Sequence, residues 1–375
     1  MKIILAFDSF KGSIDAHSAC RAVRQAILRH RDNANVICKP MADGGEGTAR
    51  ILMEALQGTW VPVQTMGPLP DLSVDSGFGW IESTQTAIVE VAASSGLTLV
   101  PEGRRNPLLT TTFGTGELIR HAIEKGARRI LLAMGGSATV DGGTGAASAL
   151  GWQFLDDQGQ VLAPGGQSLA RLATIVKPFP RPFPEIMALC DVQNPLLGKS
   201  GAARIFAPQK GATPEMVELL EAGLSRLSST VFSQLGLHID QQPGAGAAGG
   251  FGAGCMAFFG AHLRSGIHVV MQECRLEEEL DSADWILTGE GSFDQQSLHG
   301  KVVSGIAEVA AKYHVRVAVL AGRVALTAQQ YREAGVELAI PLQKEGMTAD
   351  EAMRDAERLL VERAVEWLEL AASCH

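Results

Sequence analysis

The sequence predicts an α/β protein: a parallel, doubly wound sheet formed by both chain ends, with a second domain inserted into it. Three observations carry this expectation. Both ends alternate strand-sized apolar runs with segments of helical spacing. The middle breaks that rhythm with short runs separated by Pro and Gly. The polar clusters follow apolar runs, and open α/β sheets bind ligands at the carboxyl ends of their strands.

At the start, Lys2–Phe7 is a strand-sized run. His17–His30 has helical spacing, with Asp15 as a suitable N-cap. Ala34–Lys39 and Gly47–Leu56 repeat the pair. The far end gives strands at Trp285–Leu287, Val315–Leu320 and Leu338–Ile340, and helices at Lys301–Tyr313 and Thr327–Ala334. Ala349–Leu370 closes as one long amphipathic helix. Together these are five β/α units. In between, Trp60–Gln64, Asp75–Ile81 and Thr86–Val91 read as antiparallel strands. Glu117–Lys125 reads as a helix, Arg129–Met134 as a strand and Ala146–Leu150 as a short helix. A Pro-rich connector, Lys177–Pro184, precedes helices at Glu215–Leu235 and Gly252–Leu263. The expected boundaries are 1–65 with 267–375 for the sheet of the termini, and 66–266 for the insertion, which would leave a cleft between the domains.

Composition narrows the function. The 375 residues are 46% hydrophobic and 19% charged, as in a soluble globular chain. A formal net charge of −9 argues against a non-specific nucleic-acid binder, whose affinity comes from Lys and Arg on phosphates. The six cysteines (20, 38, 190, 255, 274, 374) form no CxxC and no framework, a reduced, cytoplasmic pattern in which Cys38 and Cys190 read as buried thiols. Cys255, His262, His268 and Cys274 match no zinc spacing. Gly244–Leu263 lacks Asp, Glu, Lys and Arg, but Gly and Ala fill its first half. It reads as a glycine-rich loop leading to a buried helix, not as a membrane span.

Seven clusters carry the chemistry. FDSFKGS places Asp8, Ser9 and Lys11 after the first strand, a set that suits a metal and a phosphate. MADGGEGTA brings Asp43 and Glu46 to a helix start, where backbone N–H groups bind anions. In TTTFGTGEL, hydroxyls surround a helix start, with Thr115 as the expected N-cap. In MGGSATVDGGTG, Gly135, Gly136 and Ser137 offer donors with little bulk, an anion nest. Asp141 in the same loop would repel a phosphate unless it holds a cation, a hydroxyl or a helix N-terminus. CDVQNPL sets Asp191 and Asn194 against a hydroxylated substrate, with Asp191 able to accept a hydroxyl proton. Beyond it lie Arg204 and Lys210. Gly198-Lys199-Ser200 ends like a P-loop, but Gln193 stands where its first glycine belongs. PGAGAAGG satisfies G-x-G-x-x-G through Gly244, Gly246 and Gly249, without the preceding strand that a dinucleotide fingerprint requires. TGEGSFDQQSLHGK supplies Glu290, Asp294, Ser297 and Lys301, and AGR at Ala321–Arg323 would line the same edge. The inventory suits phosphoryl transfer to a small molecule: donor loops for phosphates, carboxylates for magnesium, and a carboxylate for a hydroxyl.

At these residues the sequence resembles the type I glycerate kinase family. FDSFKGS, ADGGEGT, TTFGTGEL, GGSATVDGGTG, CDVQNPL, ARIFAPQKGA, PGAGAAGG and TGEGSFDQQSLHGK recur in order across nearly the whole length. The resemblance implies a Rossmann-like, flavodoxin-like domain carrying an inserted α/β domain. It also implies ATP-dependent, Mg²⁺-assisted phosphorylation of D-glycerate, most often to 2-phosphoglycerate, with 3-phosphoglycerate as the alternative product. On this reading Asp191 is the base. Asp8 and Asp294 are the magnesium candidates. Lys11 and Lys301 balance phosphate charge, and the loops of Gly135–Ser137 and Gly244–Gly249 cradle ATP phosphates or the glycerate carboxylate. Arg204 or Lys210 pairs with that carboxylate. The rival readings are a nicotinamide-dependent oxidoreductase and a non-catalytic sugar-acid-binding protein.

Overall fold

Parallel strand pairing governs both halves of the chain. In the computed structural model, which describes residues 1–179, 183–298 and 300–373, the chain opens with β1 (Lys2–Leu5), a helix at Ala16–His30 and β2 (Asn35–Cys38). It then passes through β3 (Thr59–Met66), β4 (Ser73–Ile81), β5 (Thr86–Glu90) and β6 (Arg129–Ala133). A small antiparallel pair follows, β7 (Gln153–Leu155) with β8 (Thr174–Val176), and then β9 (Glu185–Leu189) and β10 (His262–Arg264). The last stretch holds β11 (Trp285–Thr288), β12 (Ser292–Phe293), β13 (Arg316–Ala321), β14 (Arg323–Val324) and β15 (Leu338–Pro341). Part of the Pro-rich connector, as well as His299 and Cys374, falls outside the described residues.

Met1–Asp43 and the chain from Ile267 onward form one unit. Its sheet runs β15-β13-β11-β1-β2, every neighbour parallel. Counted within the unit, that order is 2-1-3-4-5, the flavodoxin-like arrangement, and its switch point lies between β1 and β11. Asp15 caps the first helix, its carboxylate accepting from the Ser18 N–H at 2.9 Å. That helix buries Ala19, Val23 and Ile27 against Ile3 and Leu5 of β1. The closing helical stretch is two helices, Ala349–Arg354 and Ala356–Ser373, where one was expected. Asp355 divides them. It ends the first helix, and its side chain pairs with Arg358 in the first turn of the second.

Gly44–Gly266 forms the second unit. The chain enters it well before residue 65, because β3 pairs antiparallel with β4 along eight residues of the second sheet. That sheet runs β10-β9-β6-β5-β4-β3. β5, β6, β9 and β10 are parallel, and β3–β4–β5 is the expected antiparallel stretch. The segment expected as a helix to Leu263 instead ends its helix at Phe259. Gly260, at φ +63°, stops it, and β10 follows. Phe258 packs between Trp152 and Phe154, with ring centroids 5.1 and 5.2 Å away. No described helix is long and apolar enough to cross a membrane.

In the first unit, Trp285 of β11 and Trp367 of the last helix are fully buried and meet edge to face at 5.5 Å. Trp367→Ala removes that contact and opens a cavity. The expected loss is about 3–5 kcal/mol, read from the denaturant midpoint of the variant against the parent.

Candidate active site

In the first unit the polar loops gather at the carboxyl edge of the parallel sheet. Asp8 follows β1, Asp43 follows β2, Glu290 follows β11 and Arg323 follows β13. They line one cavity of about 480 Å³ together with Ser9, Lys11, Asp294 and Lys301. Asp8 and Glu290 stand beyond the two strands of the switch point. Burial, then the carboxylates of Asp43 and Glu290, push Asp8 up to about 8, against the Ser9 N–H and Lys11. Glu290 is 8% exposed and its Oε1 has no hydrogen-bond partner. Burial raises its carboxyl too, opposed by Ser297 and Lys301. A buried, unpaired carboxylate oxygen on a polar cavity wall fits a cation ligand.

Among the described residues, no three His, Cys, Asp or Glu side chains converge as a ready-made metal cage. Magnesium takes one or two carboxylates and completes its shell with waters and substrate phosphates. Asp294, expected as a metal ligand, is tied into its own loop. Its carboxylate accepts from the Ser292 hydroxyl at 3.1 Å and the Gln296 N–H at 2.9 Å. Glu290 is better placed for that role, and Asp8 remains on the same wall.

In the second unit, strand-end loops again form the carboxyl edge, but several predicted residues have other partners. Asp141 is completely buried. It accepts from the Thr112 N–H at 2.8 Å, the Thr112 hydroxyl at 2.9 Å and the Thr111 hydroxyl at 3.4 Å. The N–H groups of Gly143 and Gly145 donate to it at 3.1 and 3.3 Å. Asp141 therefore holds hydroxyls and the start of the helix Thr144–Ala149, binding two glycine-rich loops to each other. Thr115, expected as an N-cap, lies inside the helix Phe113–Glu124.

The glycines expected to cradle phosphate mostly admit neighbouring backbone. A Cβ on Gly249, at φ +69°, would lie 1.9 Å from the Thr139 carbonyl oxygen. One on Gly246 would lie 2.4 Å from that of Pro195, and one on Gly135 would lie 2.5 Å from Gly45 Cα. Gly244 approaches Cys190 and Val192. The residues that run directly into Gly244, 240–243, form bends and a turn, and Ala248–Gly250 are left-handed, so the dinucleotide fingerprint lacks its frame. Gly136 stays exposed at the rim, beside Ser137.

Arg204 is not available to a substrate carboxylate as placed: both its terminal nitrogens engage Glu218, at 2.6 and 2.9 Å. Lys210 is buried, donating to the Ser137 hydroxyl oxygen and the Thr139 carbonyl, each at 2.8 Å. Burial lowers it to about 7, against the pull of Asp141. Because Lys210 donates to Ser137 Oγ, the Ser137 proton is directed to another acceptor. The Lys210 ammonium, expected to pair with a substrate carboxylate, is taken up by these two acceptors. Asn194 is held in its loop, its amide donating to the Ser200 carbonyl at 2.8 Å. Asp191 is half-buried just past β9, and its Oδ1 accepts from the Ser265 hydroxyl at 2.7 Å and the Gly266 N–H at 2.9 Å. Those two donors fix the orientation of the carboxylate. Cys38 and Cys190 are half-buried, and the five described cysteines form no disulfide.

The profile of the glycerate kinase family matches residues 3–372. This chain belongs to the glycerate kinase family. A glycerate 2-kinase of Escherichia coli is 42% identical, over 95% of this chain and 94% of its own length. A glycerate kinase of Halalkalibacterium halodurans is 41% identical, over 96% of both chains. A crystal structure from Salmonella typhimurium LT2, assigned as glycerate kinase 2, superposes with a TM-score of 0.84 at 40% identity. It covers all of this chain and 98% of its own.

Sequence reasoning missed Glu90. It ends β5 and accepts from the Ala49 N–H at 2.7 Å, holding the helix Thr48–Ala55 of the ADGGEGT motif. Its signal was a lone acid closing the apolar run TAIVE. Burial raises Glu90 to about 7 from an ordinary 4.5, with Glu46 adding to the rise and the Ala49 N–H opposing it. The folded chain therefore binds this proton more tightly than the unfolded chain does. Its contribution to stability falls as pH rises from about 4.5 to about 7 and is level above that. Glu90→Gln is expected to flatten the melting-temperature profile across that window. An unchanged slope would show that Glu90 does not titrate there.

Proposed function

We propose that this chain transfers the γ-phosphoryl group of ATP to the 2-hydroxyl of D-glycerate, giving 2-phosphoglycerate and ADP. The observation that carries this reading is family membership along the whole chain, with a glycerate 2-kinase among its relatives. The acidic and basic cavity of the first unit supports it, because phosphoryl transfer is achieved mainly by positioning and charge stabilisation.

Asp8 and Glu290, with Asp43 beside them, are the residues that would hold Mg²⁺, which when bound neutralises charge on the transferring phosphoryl group. Lys11 and Lys301 add positive charge on the same wall. In the second unit, Asp191 takes the proton of the 2-hydroxyl as its oxygen bonds to the γ-phosphorus and the bond to ADP breaks. Ser137, oriented by Lys210, and the rim at Gly136 present donors suited to the glycerate carboxylate. The reduced-thiol pattern supports a cytoplasmic setting.

The product assay couples the reaction to enolase without phosphoglycerate mutase. Immediate phosphoenolpyruvate is expected. A signal that waits for mutase would move the phosphate to the 3-hydroxyl, and no ADP with D-glycerate would overturn the assignment. Asp191→Asn should lower kcat by about 10²–10⁴-fold while ATP binding, measured by calorimetry, is retained. An unchanged kcat would remove Asp191 from the base role.

A further inference from the structure

The cavity of the first unit has two unlike ends, and the charged end alone enters the reaction above. Past Arg323 and Gln343 its wall turns apolar: Leu342, Ala349, Ala352, Met353 and Ala356. Strand order fixes the direction. The carboxylates stand beyond β1 and β11, at the centre of the sheet, whereas Leu342 and Gln343 follow β15 at its edge. The cavity therefore runs along the carboxyl edge from the switch point to the outermost strand. At about 480 Å³ it is far larger than a three-carbon acid and falls within the range of sites for nucleotide-sized ligands.

Met353 is the notable member of the wall. It is 44% exposed and borders a cleft that is itself open to solvent. Its main chain is pinned, because the Ser13 hydroxyl donates to its carbonyl. Its methyl end lies 3.0 Å from where a Cβ on Gly12 would stand, so the side chain reaches over the loop that carries Asp8 and Lys11. A flexible thioether on an apolar shelf suits a flat aromatic ring. Gln343, half-buried between the two ends, contributes an amide.

We propose that this apolar wall seats the purine base of the phosphoryl donor, with the base over β15 and the polyphosphate chain reaching back to Asp8, Glu290 and Lys301. The assignment rests on the kinase reading and goes further, since it gives the nucleotide to the Met1–Asp43 and Ile267-onward unit and orients it along the sheet. It also gives the closing helical stretch a ligand-contacting role, although none of the family-like motifs lies there.

The test separates base from phosphates. Ala352→Trp fills the shelf, and Met353→Ala strips it at an exposed position where folding is insensitive. Calorimetry is run with MgADP and, separately, with magnesium tripolyphosphate, which carries the charge and lacks the base. Both variants should bind MgADP about tenfold or more weakly and bind tripolyphosphate like the parent. MgADP affinity unchanged in both variants would overturn the proposal, as would an equal loss for both ligands. The two readings fail separately. A chain that phosphorylates glycerate with an unaltered KM for ATP in both variants keeps its reaction and loses this base site. A chain that binds MgADP through the shelf but never phosphorylates glycerate keeps the base site and loses the reaction.

Discussion

Parallel pairing is the constraint on which the rest of this molecule depends. Adjacent parallel strands must be joined by a return crossing, so every strand of such a sheet ends on the same edge. In the first unit that rule collects Asp8, Asp43, Glu290 and Arg323 from four loops that are distant in sequence onto one cavity. The order 2-1-3-4-5 then does something more specific. It places the reversal of winding between β1 and β11, and the residues beyond those two strands are the buried acids of the site. In the second unit the same rule brings Glu90, the Gly135–Ser137 rim, Asp191 and Ser265 to the ends of β5, β6, β9 and β10.

Within the second unit, buried carboxylates serve as connectors. Asp141 takes donors from Thr111, Thr112, Gly143 and Gly145, and Glu90 takes the Ala49 N–H. Burial raises both groups, and hydrogen bonds oppose the rise. Such acids organise loops that contain too few apolar side chains to pack by themselves. The glycines complete the arrangement. At Gly249 and Gly246, absence of a Cβ lets one loop lie directly on the carbonyls of another. The exposed Gly136, the buried Ser137 and the half-buried Asp191 beside these loops are thereby held by several independent segments.

The buried acids of the first unit are different. Asp8 and Glu290 lie beside each other's charge with few donors, and Glu290 keeps an oxygen without a partner. Buried like charges at one strand edge are costly unless a cation joins them. The contrast between Asp141, fully donated to, and Glu290, incompletely so, separates a connector from a candidate ligand more clearly than residue type does.

By itself the sequence determined the alternation of strands and helices, the interrupted sheet, the antiparallel stretch of the middle and the family, because these rest on local periodicity and on ordered motifs. It named Asp8, Glu290 and Asp191 for the same reason, since each follows an apolar run. Only the tertiary structure decided which polar residues in those motifs are satisfied by the protein. Arg204 finds Glu218, Lys210 finds Ser137, and Asp294 closes its own loop. The first two pairings join segments that spacing does not relate, and the third is a turn that closes only when the loop is folded. Nor could the sequence show β10, a short strand that begins two residues after the glycine stop at Gly260, or the boundary at Asp43, which β3 sets by pairing with β4. Strand partnership and hydrogen-bond completion are properties of chain segments brought together in space, and a pattern read along one segment does not contain them.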